Sequence, residues 1–156
     1  MSTVYLSSVA LTFFAIATAV AAERPSFTVE GRVYCDTCRT GFETPLTTYI
    51  ADAKVRLECR HFSKGKIEHQ VDGVTNKDGT YTIELKDNHD KENCEVVLVQ
   101  SPLPTCAEIP KGRDRVNVLL ADGGLSSNVR NANSLGFLKD KPLHDCIGVL
   151  KQYNQP

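Results

Sequence analysis

Hydrophobic and polar residues alternate in several separate stretches of this chain. In residues 27–39, FTVEGRVYCDTCR, Phe27, Val29, Val33 and Cys35 fall at every second position, with Gly31 in the gap and Thr28, Glu30, Arg32 and Tyr34 between them. Successive side chains of a strand point to opposite faces, so this period predicts a half-buried strand, here running into Cys35 and Cys38. In residues 53–60, Ala53, Val55, Leu57 and Cys59 face one way and Lys54, Arg56, Glu58 and Arg60 the other. Residues 67–75 make a less regular strand. Tyr81, Ile83 and Leu85 alternate with Thr80, Thr82 and Glu84 on a return strand. Asp78-Gly79 between those two strands reads as a hairpin turn, because the dipeptide readily takes positive φ.

CEVVLVQ, residues 94–100, is almost wholly apolar and predicts a central strand covered on both sides. Val116, Val118 and Leu120 share one side of a strand over 115–120, while LGFL (135–138) and CIGVLKQY (146–153) each read as a short strand. The connections are a loop holding Gly41 and Pro45, a charged loop over 86–93, a stretch over 101–112 with three prolines, and a polar segment over 121–134. About seven strands, short turns and no amphipathic helix predict an all-β fold, an antiparallel β-barrel or sandwich.

Residues 1–22 stand apart. MSTVYLSSVALTFFAIATAVAA carries no charged side chain, has an apolar centre and ends in small residues. That is the pattern of a secretory signal peptide cleaved after Ala22 or Ala21. Residues 23–156 then form a single domain. Eighteen basic against 19 acidic residues give a net charge of −1, which argues against nucleic acid and against an anionic membrane surface as partners. Six cysteines in a secreted chain imply three disulfides, although six permit fifteen pairings and spacing does not choose among them.

Candidate chemistry is sparse. Cys35-Asp36-Thr37-Cys38 lacks the following helix that a thioredoxin-type thiolate needs, and no second close cysteine pair completes a zinc site. His61, His69, His89 and His144 stand in no metal-binding spacing and read as surface or turn residues. No serine lies in a GxSxG turn, and Asp122-Gly123-Gly124-Leu125-Ser126 lacks the lysine of a phosphate loop. Around Asn76-Lys77-Asp78-Gly79 a calcium loop would need ligands at Val74 and Leu85, whose side chains offer none. Glu58, Glu84 and Asp78 fall on outward faces or in turns, where solvated charge is the default. We therefore expect no enzyme, no metal and no cofactor. One concentration of charge remains: Arg56, Arg60, Lys64 and Lys66 share the outward side of a predicted hairpin and are candidates for contact with an anionic polysaccharide, or for protecting a sheet edge from aggregation.

EGRVYCDTCR followed at once by TGFET closely resembles the signature of the olive-pollen major allergen family, the Ole e I-like and extensin-related proteins. The resemblance continues through VRLEC, TNKDGTYTIEL, CEVVLVQSP and ANSLGFLKDKPLHDC, and so covers nearly the whole of residues 23–156. It implies the pairing Cys35–Cys106, Cys38–Cys146 and Cys59–Cys94. It also implies an extracellular or cell-wall protein of plants, pollen-associated, acting in pollen hydration, germination or tube growth. Its partner would be an extracellular protein or cell-wall polysaccharide, and IgE if the chain is allergenic. Several members carry an N-glycan near residue 131, but neither Asn131-Ala132-Asn133 nor Asn133-Ser134-Leu135 is an acceptor here. The rival expectations are a small secreted enzyme and a protease inhibitor presenting residues 101–110.

Overall fold

The computed structural model describes residues 26–121 and 127–153. The segment read as a signal peptide and the motif at 122–126 lie outside them. The described residues form nine strands and one helix: β1 Ser26–Asp36, β2 Thr48–Tyr49, β3 Lys54–His61, β4 Ile67–Val74, β5 Thr80–Lys86, β6 Glu92–Gln100, β7 Arg115–Val118, β8 Val129–Asn131, β9 Leu135–Leu138 and α1 Cys146–Tyr153. They make two sheets. One has the order β4-β3-β6-β7; the other is built around β1. The apolar faces meet in one core, in which Phe27, Val29, Val33, Ile83 and Phe137 of one sheet join Val55, Leu57, Val96 and Val118 of the other. The sheets do not close into a barrel, and the fold is a stapled β-sandwich.

β1 is flanked along both edges. On one side its first half pairs antiparallel with β5 and its end with β2. On the other side it pairs with β8 and then β9, and both of these pairings are parallel. The sheet is therefore mixed, not antiparallel throughout. Gly31 stands opposite Tyr81, and the phenol lies where a Gly31 side chain would be. The glycine thus gives a large ring its place in the core. Tyr81 is fully buried, and burial pushes its phenol well above its ordinary pKa. Among the described residues its hydroxyl has no hydrogen-bond partner. A desolvated hydroxyl without a partner is a net cost. Tyr81→Phe keeps the ring and removes that oxygen, and is expected to raise stability by about 1 kcal/mol, read as a higher urea midpoint. A lower midpoint would reveal a partner for the hydroxyl.

Two sequence expectations change here. Residues 76–79 do form a turn, with the Gly79 amide donating to the Asn76 carbonyl at 3.0 Å and Gly79 at φ 72°. The strands it joins do not pair, however. β4 pairs with β3 and β5 with β1, so the turn carries the chain from one sheet to the other. It is clamped on both sides. The Val33 amide donates to the Gly79 carbonyl at 2.8 Å, and the hydroxyl of buried Thr75 donates to the Ile50 carbonyl at 2.6 Å.

The second change is at the C-terminus. Residues 146–153 are helix α1, not a strand. Cys146, Ile147, Val149, Leu150 and Tyr153 recur at i, i+1, i+3, i+4 and i+7, which is helical spacing and not period two. Tyr153 meets Phe42 edge-on at 5.3 Å between ring centroids.

Candidate functional site

The loop after β1 is held by its own carboxylate and by two cross-links. Buried Asp36 accepts the Thr40 amide at 3.0 Å and the Gly41 amide at 2.6 Å, turning the chain sharply back. Cys35 is bonded to Cys106 and Cys38 to Cys146, so the pair brackets that turn without bonding to itself. Arg39, at φ 57°, makes a two-pronged pair with Glu108 at 2.7 and 2.9 Å and also donates to the Lys139 carbonyl at 2.6 Å. The proline-containing loop is thereby fastened twice, to β1 by a disulfide and to the loop after β1 by this ion pair. Cys59–Cys94 joins directly opposed residues of β3 and β6 inside the other sheet.

Beside this fastening lies a cleft of about 250 Å3, lined by Tyr34, Asp36, Gly41, Arg113, Asn133 and Gly136 among others. Two glycines open it. A side chain at Gly136 would strike the Tyr34 ring, and one at Gly41 would overlap the Arg113 guanidinium. Burial pushes the Tyr34 phenol up, and the negative charges of Asp36 and Glu43 add to this against the pull of Arg113, so the hydroxyl stays a donor. Arg115, also in the cleft wall, is paired with Glu95 at 3.2 Å and Asp114 at 3.0 Å. Among the described residues Arg113 has no carboxylate partner, and it is exposed.

The basic hairpin is a different surface. Arg56, Arg60, Lys64 and Lys66 do sit on the β3–β4 unit, but three of the four have a carboxylate of their own. Arg56 meets Asp72 at 2.6 Å, Arg60 meets Glu58 at 2.8 Å and Lys64 meets Glu68 at 2.9 Å. Among the described residues only Lys66 of the four lacks an ion pair. The hairpin register accounts for the first of these: it sets Arg56 directly opposite Asp72, which no reading of one strand alone reveals. The concentrated positive field expected there is largely compensated, and the pairing hydrogen bond itself holds the Asp72 carboxyl below its usual range.

One of the four histidines departs from expectation. His144 is exposed and His61 bonds within its own turn to Ser63, but His89 is buried and meets His69 edge-on at 4.8 Å between ring centroids. Both rings face the carboxylate of Glu92. The loop before β6 is tied down where it carries His89 inward, the His89 amide donating to the Leu120 carbonyl at 3.0 Å. The spacing His89-x-x-Glu92 and the parity of Glu92 with Cys94 were the available signals.

Known proteins similar to this chain include pollen proteins. The profile of the family described as "Pollen protein Ole e 1 like" matches residues 25–154. The chain is 57% identical over 129 residues to the pollen-specific protein C13 of Zea mays, covering 82% of this chain and 76% of the maize protein. It is 43% identical over 131 residues to the major pollen allergen Lol p 11 of Lolium perenne, covering 83% and 98% of the two chains. The crystal structure of the major plantain pollen allergen Pla l 1 superposes with a TM-score of 0.69 at 31% identity, over 76% of this chain and 97% of that one. The β1 cysteine motif, the stapled sandwich and these relatives agree: the chain belongs to the Ole e 1-like family of pollen proteins.

Proposed function

We propose that this chain is a secreted, non-enzymatic pollen protein that works in the extracellular space or cell wall by binding, and that its binding site is the cleft between Tyr34 and Arg113. The ligand chemistry that fits is an acidic sugar of cell-wall polysaccharide. The observation that carries the reading is the Arg113 guanidinium, held against Gly41 and free of any carboxylate among the described residues, at the mouth of a recess walled by a protonated phenol. A guanidinium presents planar donors that match a carboxylate, and a phenol and an amide such as Asn133 suit sugar hydroxyls. Two disulfides fix the loop that forms the wall, so little ordering is lost on binding. Pollen-specific relatives support a role in pollen hydration, germination or tube growth. The apolar leader at 1–22 supports secretion.

Titration with oligogalacturonides, followed by amide chemical shifts, tests this. Shifts are expected at Tyr34, Gly41 and Arg113, and Arg113→Gln is expected to weaken binding about tenfold, the loss of one charge-assisted pair. Shifts confined to the β3–β4 hairpin, or an unchanged affinity in Arg113→Gln, would reject the cleft. Turnover of the oligosaccharide would reject the non-enzymatic reading.

A further inference from the structure

We infer that His69, His89 and Glu92 form a binding site for a first-row divalent cation of the zinc and copper type. The three side chains come from β4, from the loop before β6 and from the first residue of β6. They converge on one carboxylate: Glu92 Oε1 lies 3.1 Å from His69 Nδ1, and Glu92 Oε2 lies 2.6 Å from His89 Nδ1. The other nitrogen of His89, Nε2, donates to the Lys86 carbonyl at 2.9 Å. That bond fixes where the ring carries its first proton and aims Nδ1 at Glu92, the outer support that metal-binding histidines commonly have. In the neutral ring the Nδ1 lone pair faces an anion, and only a cation between them satisfies both. A proton can serve, and so can a metal ion once the carboxylate shifts to admit it.

Burial and access suit the second. The side chains of His89 and Glu92 are 2% and 8% exposed, so two of the ligands are held in place, while His69 is 47% exposed and leaves an approach from solvent. Below them, donor atoms of Cys59 and Cys94 lie within 4.8 Å of those of His89 and Glu92. Those sulfurs are bonded to each other, so they form a wall and not thiolate ligands. The donor set is then two imidazoles and one carboxylate with a position left for water, an arrangement zinc accepts. One carboxylate and two nitrogens are a poor offer to calcium or magnesium, which take oxygen. Charge and protons balance simply. The ion takes the place of the hydrogen between His89 Nδ1 and Glu92, which leaves to solvent, and the hydrogen that His69 Nδ1 donates to Glu92 moves to Nε2, freeing the Nδ1 lone pair to ligate.

The test uses the tag-free, disulfide-intact chain and zinc chloride, by calorimetry in two buffers of different ionisation enthalpy. One ion per chain is expected, with about one proton released, because ligation requires the deprotonated ring. His69→Ala, at an exposed position, is expected to weaken binding at least about tenfold. His61→Ala is expected to leave it unchanged, since that ring bonds within its own turn. No zinc uptake by the wild-type chain, or equal uptake by His69→Ala, would overturn the assignment and leave the cluster a proton-held contact. Glu92→Gln supplies an independent arm: retained affinity in a folded Glu92→Gln chain would also overturn it.

Discussion

Replacing Cys38 and Cys146 together by alanine is expected to lower stability by about 4 kcal/mol, since the cross-link still closes a loop in an unfolded chain that keeps Cys35–Cys106, and its removal returns that freedom. Losses of that size are comparable with the whole stability of many domains. The structure adds a local reason. Within α1 only Cys146 is buried, so the disulfide is the main attachment of the helix to the sandwich. Guanidinium unfolding reads the loss directly, and Cys59–Cys94, whose loop spans 35 residues, is expected to show a comparable chain-entropy loss without release of α1. Peptide mapping without reductant is expected to return the three linked pairs, Cys35–Cys106, Cys38–Cys146 and Cys59–Cys94. A Cys35–Cys38 peptide as the main species would refute the arrangement at the end of β1.

Gly79→Val is expected to cost about 3 kcal/mol, from a strained φ together with an overpacked contact. At φ 72° a β-branched side chain is strained before it touches anything. Here it also meets the Val33 carbonyl at 2.8 Å and the Tyr49 Cβ at 2.7 Å, and neither can swing away as a long side-chain tip would. Gly112 separates the two causes. It has φ 77° and nothing within 4 Å of an added Cβ, so Gly112→Val is expected to show the backbone strain alone, about 1 kcal/mol. Equal urea midpoints for the two variants would mean that the contacts around the sheet-crossing turn carry no cost.

The individual strands were legible because burial follows parity. Val55, Leu57 and Cys59 point inward from β3, and Tyr81, Ile83 and Leu85 inward from β5, as their alternation predicts. Strand partners were not legible. The turn at Gly79 looks the same in sequence whether it closes a hairpin or changes sheets, and only the company of β1 decides it. β8 was hidden for a different reason, since its polarity is inverted. Val129 is exposed and Arg130 is buried, its guanidinium donating to the carbonyls of Leu119, Ser127 and Ala121 and lying 5.0 Å from the Phe27 ring. A hydrophobic pattern cannot find a strand whose inward residue is a cation satisfied by backbone oxygens. The two candidate sites share that limitation. Arg113 and Tyr34, or His69 and Glu92, are adjacent only through pairings between distant segments. The family resemblance rested on continuous motifs and could be read from sequence alone.

Order of synthesis gives the flanking of β1 a temporal meaning. Of the described strands β1 leaves the ribosome first, and β5 can dock on one edge once the middle of the chain is out. The opposite edge must wait for β8 and β9, the last two of the described strands. Until then it is an open row of amides and carbonyls, the kind of edge that recruits strands from other chains. Its thiols face the same delay: Cys59 and Cys94 emerge before Cys106 and Cys146 and offer Cys35 and Cys38 earlier, mistaken partners. The native partners of Cys35 and Cys38 come later in the chain than Cys59 and Cys94, so any cross-link made with those two first has to be undone by thiol–disulfide exchange before the sandwich is complete.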